Sequence, residues 1–92
     1  MPQIFKIGSY LVYFWVNEGK PLEPIHVHVS KGIPSSSATK LWITKNGKCI
    51  VCNNNSKIPK KELRIIISVI EARYVEIFQK WYDVFSEIYY YC

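Results

Sequence analysis

The sequence lacks an apolar run long enough to cross a membrane. Its longest unbroken apolar stretch covers residues 10–16, seven positions, whereas a spanning helix needs about 20. Residues 1–6 contain no apolar core of a secretory signal. The three cysteines are an odd number and do not suggest a disulfide framework. We therefore expect a cytoplasmic protein with no membrane contact.

The common catalytic and cofactor-binding motifs are also missing. The chain has no glycine-rich phosphate loop, no HExxH zinc motif and no nucleophile elbow. It has no internal repeat, and its 92 residues, 49% of them apolar, can form one modest core. We predict a single domain over residues 1–92 and no cofactor.

Charge is distributed unevenly along the chain. Residues 1–61 hold nine lysines against Glu18 and Glu23, a net charge of +7, whereas residues 62–92 have a net charge of −2. A basic front half suits RNA or an acidic protein partner. A solvated surface that keeps the protein soluble explains the scattered lysines equally well. The candidate contact residues are Lys31, Lys40 and Lys45.

The first part of the chain has the residue pattern of β-strands. Asn46-Gly47 predicts a type I′ hairpin, which needs positive φ at both central residues. Residues 10–16 are nearly all apolar, which predicts a central strand covered on both faces. We predict an antiparallel sheet of four to five strands within residues 1–55, with strands at 4–7, 10–16, 25–30, 38–44 and 48–52.

The pattern changes to helical spacing after Pro59. Apolar residues recur at steps of three and four as far as Ile88, which predicts a long C-terminal helix over residues 59–88. A break near residue 72 is compatible with the sequence. Ile65 and Val69 lie off the main stripe, so we expect an extra contact, in a homodimer or a heteromeric complex. Strands first and a helix last predict an α+β fold with the helix on one sheet face.

The only two histidines stand one residue apart in the stretch EPIHVHVSKG. In a strand, His26 and His28 share one face, with Cα atoms about 6.5 Å apart. They could hold a metal ion with a third ligand. They could also act as an acid–base pair, as in a metal-independent ribonuclease, with Glu18, Glu23 or Lys31 as helpers. The third interpretation is structural: two rings bonded to neighbouring side chains.

A zinc site would need ligands from elsewhere in the chain. Cys49 and Cys52, together with His26 and His28, would supply two sulfurs and two nitrogens. In a regular strand, however, residues three apart point to opposite faces. We therefore prefer small apolar cysteines on a buried strand and no metal site.

Several sequence blocks follow one another in a characteristic order. They resemble the bacterial domain of unknown function 4160 over residues 1 to about 86. Members usually carry two prolines before the His-x-His block, and Ile25 replaces the second here; the cysteines lie outside the pattern. The blocks are Met1-Pro2, Ile7-Gly8-Ser9-Tyr10, Val12-Tyr13-Phe14-Trp15, Asn17-Glu18-Gly19, Glu23-Pro24-Ile25-His26-Val27-His28-Val29, Thr39-Lys40-Leu41-Trp42-Ile43 and Lys61-Glu62-Leu63-Arg64, leading to Trp81.

The resemblance implies a small cytoplasmic protein with no settled activity. Genes of the family often neighbour another small uncharacterised family, a layout similar to toxin–antitoxin pairs. It implies a component of such a module that binds a cognate acidic protein or acts on or binds RNA, with His26 and His28 reacting or in contact. The alternatives are a non-catalytic protein-binding or scaffold protein with structural histidines, and a metal-binding protein. Burial of both rings favours the scaffold; exposure in a basic groove favours RNA.

Overall fold

Five strands form one antiparallel sheet, and two helices follow them. The computed structural model describes residues 3–16 and 22–91. Strand order in the sheet equals chain order, and each neighbouring pair is antiparallel. This confirms the predicted α+β fold. The elements are β1 Gln3–Ile7, β2 Tyr10–Tyr13, β3 His26–Lys31, β4 Thr39–Ile43, β5 Cys49–Asn53, α1 Lys60–Ala72 and α2 Tyr74–Phe85.

The helices cover one face of the sheet. Val27 and Val29 on β3 are fully buried and belong to the same core cluster as Ile70 and Trp81 of the helices. Side chains alternate along a strand, so His26 and His28 belong to the opposite face. A smaller cluster there consists of Leu11, Tyr13 and Ala38, with Trp15 packed against it. The two faces are therefore packed by different sets of residues.

The predicted C-terminal helix is divided in two at Arg73. The backbone N–H of Arg73 donates to the carbonyl oxygens of both Val69 and Ile70 at 3.1 Å, and its φ of −118° departs from helical geometry. Its guanidinium lies 4.1 Å from the Phe5 ring centroid and 2.8 Å from the Glu76 carboxylate. The break that the sequence allowed near residue 72 is therefore present.

The second helix ends earlier than predicted. Ser86 has a φ of 60°, in the left-handed region that terminates helices, so the helix stops at Phe85 and the predicted end at Ile88 is wrong. The following residues return to the sheet, where the backbone N–H of Ile25 donates to the Tyr89 carbonyl at 2.8 Å. This C-terminal tail, residues 86–91, thus lies beside the start of β3.

The turn between β4 and β5 also differs from its prediction. Only Gly47 has positive φ, 79°, and its N–H donates to the Thr44 carbonyl at 2.9 Å. This corresponds to a three-residue loop with a left-handed glycine, and the predicted type I′ turn is wrong. A Cβ at Gly47 would lie 2.5 Å from the Tyr74 ring. Glycine therefore permits both the turn and the close approach of α2.

The apolar run at residues 10–16 forms a shorter strand than predicted. All four residues of β2 are buried, but Phe14 lies beyond the strand and packs on Trp81, while Val16 is exposed. Among the off-stripe helix residues, Ile65 is exposed and Val69 packs on the core. Association through Ile65 stays a prediction. Neither described helix has the length and apolar character that a bilayer span requires.

We predict that Trp81→Ala lowers the free energy of unfolding by about 3–5 kcal/mol, as expected for removing a buried indole. Trp81 is fully buried and lies 5.0 Å from the Phe14 ring and 4.5 Å from the Phe85 ring. Urea unfolding followed by circular dichroism measures the change. Tyr82→Ala removes an exposed neighbouring ring and is the matched control. A loss below about 1 kcal/mol for Trp81→Ala would contradict its place in the core.

Candidate functional site

The histidines lie where β2, β3 and β4 are adjacent. His28 is directly opposite Tyr13 on one side and Lys40 on the other, and His26 is directly opposite Trp42. Directly opposite residues in antiparallel strands share a face of the sheet. We call the face that carries these five residues the histidine face. The strand pairing thus surrounds the histidines with aromatic rings and one lysine.

His26 is fully buried and its orientation is fixed. Its side chain has 0% exposure, and its Nδ1 lies 2.9 Å from the Pro24 carbonyl oxygen. A carbonyl only accepts, so Nδ1 carries the hydrogen and donates it. The ring meets those of His28, Trp42 and Trp81 edge-on, at centroid distances of 5.0, 5.5 and 5.3 Å. These are favourable aromatic geometries, and they separate the imidazole from solvent.

The contact with Trp81 links the histidine face to the helices. Trp81 belongs to α2 and to the core on the other side of the sheet. His26 is the first residue of β3, so its ring can reach α2 at the end of the sheet. One side chain therefore contacts β4 through Trp42 and α2 through Trp81.

His28 differs from His26 in its accessibility. It is half-buried, and its ring lies 5.6 Å from Tyr13 and 6.5 Å from Trp15. The Tyr13 hydroxyl accepts the Ser35 backbone N–H at 3.0 Å and donates to the Ser35 carbonyl at 3.2 Å. Tyr13 thereby holds the loop after β3 against this face. We call the rings of Tyr13, Trp15, His26, His28 and Trp42 the aromatic cluster. Because His28 is half-buried, it lies at the rim of this cluster.

The predicted acid–base pair requires that both histidine rings be accessible to a substrate. A general acid and a general base must each reach the substrate within hydrogen-bond distance or through one water. The His26 ring is buried and its Nδ1 is bonded to Pro24, while His28 alone of the two is partly accessible. The arrangement therefore gives the two-histidine mechanism no geometric support.

Lys40 joins the cluster through Trp42. Its Nζ lies 4.4 Å from the centroid of the Trp42 ring and 2.8 Å from a Glu23 carboxylate oxygen. A cation over an indole face is attracted by the ring quadrupole. The structure thus brings together two of the residues predicted as helpers or contacts, Glu23 and Lys40.

The other predicted contact residues lie elsewhere. Lys31 is exposed at the end of β3, and Lys45 is exposed in the turn between β4 and β5. Glu18 lies outside the described residues. None of these three adds to the described geometry of the cluster.

The structure does not bring the cysteines to the histidines. Cys49 and Cys52 belong to β5, which β4 separates from β3. Burial, with the Glu71 carboxylate nearby, raises the pKa of the Cys49 thiol to about 12. Within residues 3–16 and 22–91, no three histidine, cysteine or acidic side chains are grouped to hold a metal ion. The zinc interpretation gains no geometric support.

Sequence reasoning missed the aromatic residues of the site. The sequence places Trp42 within the predicted strand at 38–44 and gives no sign that Tyr91 contacts it. In the structure their rings are parallel within 3° and 4.8 Å apart. Only the cross-strand register places Trp42 beside His26. The register of β3 against β4, which sets the residue of β4 that lies opposite His26, is the signal that would have identified Trp42.

The family model described as Domain of unknown function (DUF4160) matches residues 9–82. The chain belongs to this family. The match runs from before β2 into α2 and includes His26, Trp42 and Trp81. No curated protein and no solved structure matches the chain. The DUF4160 description names no activity and so assigns no role to the histidine face.

We predict that the two histidines contribute unequally to stability. His26→Ala should lower the free energy of unfolding by about 2–4 kcal/mol, because it removes a buried ring and leaves the Pro24 carbonyl without its donor. His28→Ala should cost about 1 kcal/mol or less, since the ring is half-buried. Chemical unfolding of both variants measures the difference. Equal losses would contradict the structural role assigned to His26.

Proposed function

We propose that this DUF4160 protein is a cytoplasmic, non-catalytic RNA-binding component of a toxin–antitoxin-like module. The observation that carries the proposal is the pair of half-buried rings, Trp15 and Trp42, with Lys40 over Trp42. The complete burial of the His26 ring supports the non-catalytic part. It leaves a half-buried His28 among aromatic rings, an arrangement better suited to contact than to paired proton transfer. The toxin–antitoxin setting rests on the resemblance of the sequence to its family.

The chemistry of the histidine face supports RNA as the ligand. Trp15, Trp42 and Lys40 are half-buried, so part of each is accessible. Half-exposed rings on a sheet surface stack unpaired bases, and lysines attract the phosphates between them. The net charge of +5 adds a general attraction for polyanions.

A cognate acidic protein is the partner that this proposal expects. The lysines of the sheet and its turns attract RNA and acidic side chains alike. We propose that the partner covers part of the histidine face and thereby competes with RNA. Lys31 and Lys45, both exposed and outside the aromatic cluster, are the residues that we assign to the rim of this contact.

We predict that the full chain binds short single-stranded RNA and leaves it intact. Fluorescence anisotropy with a labelled oligouridylate at low salt measures the Kd, and gel electrophoresis after incubation measures RNA integrity. Trp15→Ala should weaken binding about ten-fold, because it removes a stacking ring. Tyr82→Ala, which removes an exposed ring from α2, should leave the Kd unchanged.

Two results would count against this function. RNA cleavage that disappears in a folded His28→Ala variant would show that the protein is catalytic. Equal weakening by Trp15→Ala and Tyr82→Ala would show that binding is non-specific and does not use the histidine face.

A further inference from the structure

Trp42 and Tyr91 form a ring pair unlike the others in the described chain. Their planes are parallel within 3°, with centroids 4.8 Å apart. Every other ring pair found among the described residues is tilted or edge-on. Parallel stacking is how a protein ring receives a nucleobase. Tyr91 therefore marks a position on Trp42 that accepts a flat aromatic ring.

Trp42 is held in place before any ligand arrives. The buried His26 ring meets it edge-on at 79°, and Lys40 lies 4.4 Å from its centroid. Lys40 is itself bonded to Glu23 at 2.8 Å. A side chain ordered in this way loses little further entropy when a ring stacks on it, which favours binding.

Tyr91 is attached differently from the residues before it. The Tyr89 carbonyl accepts the Ile25 N–H at 2.8 Å, and Tyr90 packs on the core with its ring 5.7 Å from Phe78. Tyr91 is 58% exposed, and Trp42 is its ring contact within residues 3–16 and 22–91. Rotation about the bonds of Tyr91 would release Trp42 while the anchors at Tyr89 and Tyr90 remain.

We propose that Trp42 is a stacking site for a base of single-stranded RNA, and that Tyr91 occupies this site until RNA displaces it. This inference rests on the proposed RNA-binding function and names one site for it. Lys40 lies over the Trp42 ring, 4.4 Å from its centroid, where its positive charge attracts the phosphates of a strand whose base is stacked on Trp42. The tail thus acts as a built-in competitor of RNA.

The test compares binding of a labelled oligouridylate by full-chain variants that circular dichroism shows to be folded. Tyr91→Ala should tighten binding about five-fold, because the base no longer has to displace a stacked ring. Trp42→Ala should weaken it about ten-fold, and Trp42→Phe, which keeps a smaller ring, should give an intermediate Kd. In the wild-type protein, RNA should shift the NMR signals of the Tyr91 ring towards those of a solvated tyrosine.

The matched control is Tyr89→Ala. It removes an exposed tail ring whose hydroxyl is bonded to Glu87 but retains the backbone carbonyl that accepts the Ile25 N–H. Its Kd should equal that of the wild-type protein. Tyr91→Phe, which keeps the stacking ring, should also match the wild type.

The outcomes separate this inference from the proposed function. Weaker binding by Tyr91→Ala would mean that Tyr91 is part of the RNA surface, which overturns displacement. Unchanged binding by Trp42→Ala and Trp42→Phe, with loss in Trp15→Ala, would overturn the Trp42 site but leave RNA binding in place. If neither the wild type nor Tyr91→Ala binds RNA, the proposed function fails and this inference fails with it.

Discussion

The hydrogen bond between His26 and the Pro24 carbonyl is the constraint on which the site depends. A buried polar group without a partner is costly, so a fully buried imidazole needs its donor satisfied. The bond at 2.9 Å meets that need and sets the orientation of the ring. The ring edges then fix how Trp42 and Trp81 pack around it. The His26 ring, oriented by this bond, therefore contacts β4 through Trp42 and α2 through Trp81.

This constraint changes what the His-x-His pattern can do. The sequence places two equivalent imidazoles on one strand face, but the fold makes them unequal. His26 is enclosed by rings, and His28 lies half-buried at the rim of the cluster. The chemistry available to a ligand is consequently that of partly exposed aromatic rings with Lys40 beside them. Such a surface can stack the bases of RNA and attract its phosphates. This is the physical basis for proposing RNA binding rather than catalysis.

The fold class and the main elements were predictable because they depend on local patterns. Alternating and β-branched residues mark the five strands, and three–four spacing marks the helices. The end of α2 was not predictable, since it depends on a left-handed serine, Ser86, rather than on the glycine usual at that position. The β4–β5 turn was misassigned because Asn-Gly suits two loop geometries, and the packing of Tyr74 against Gly47 is a tertiary contact.

The candidate site was predictable only in part, for a related reason. The histidines are visible in the sequence, and their shared face follows from the pleat. Their neighbours depend on strand register, which brings Trp42 opposite His26 and Tyr13 opposite His28. The burial of His26 depends further on α2, whose Trp81 comes from a distant part of the chain. No residue pattern within a single strand or helix predicts those contacts.

The most direct test of the central claim is an NMR measurement on the imidazole of His26. If its Nδ1–H donates to the Pro24 carbonyl inside the cluster, the nitrogen shifts will show that Nδ1 carries a hydrogen. That proton will also exchange with water far more slowly than the ring protons of His28. A ring protonated only at Nε2, or an Nδ1 proton that exchanges as fast as in a free histidine, would contradict the structural role of His26.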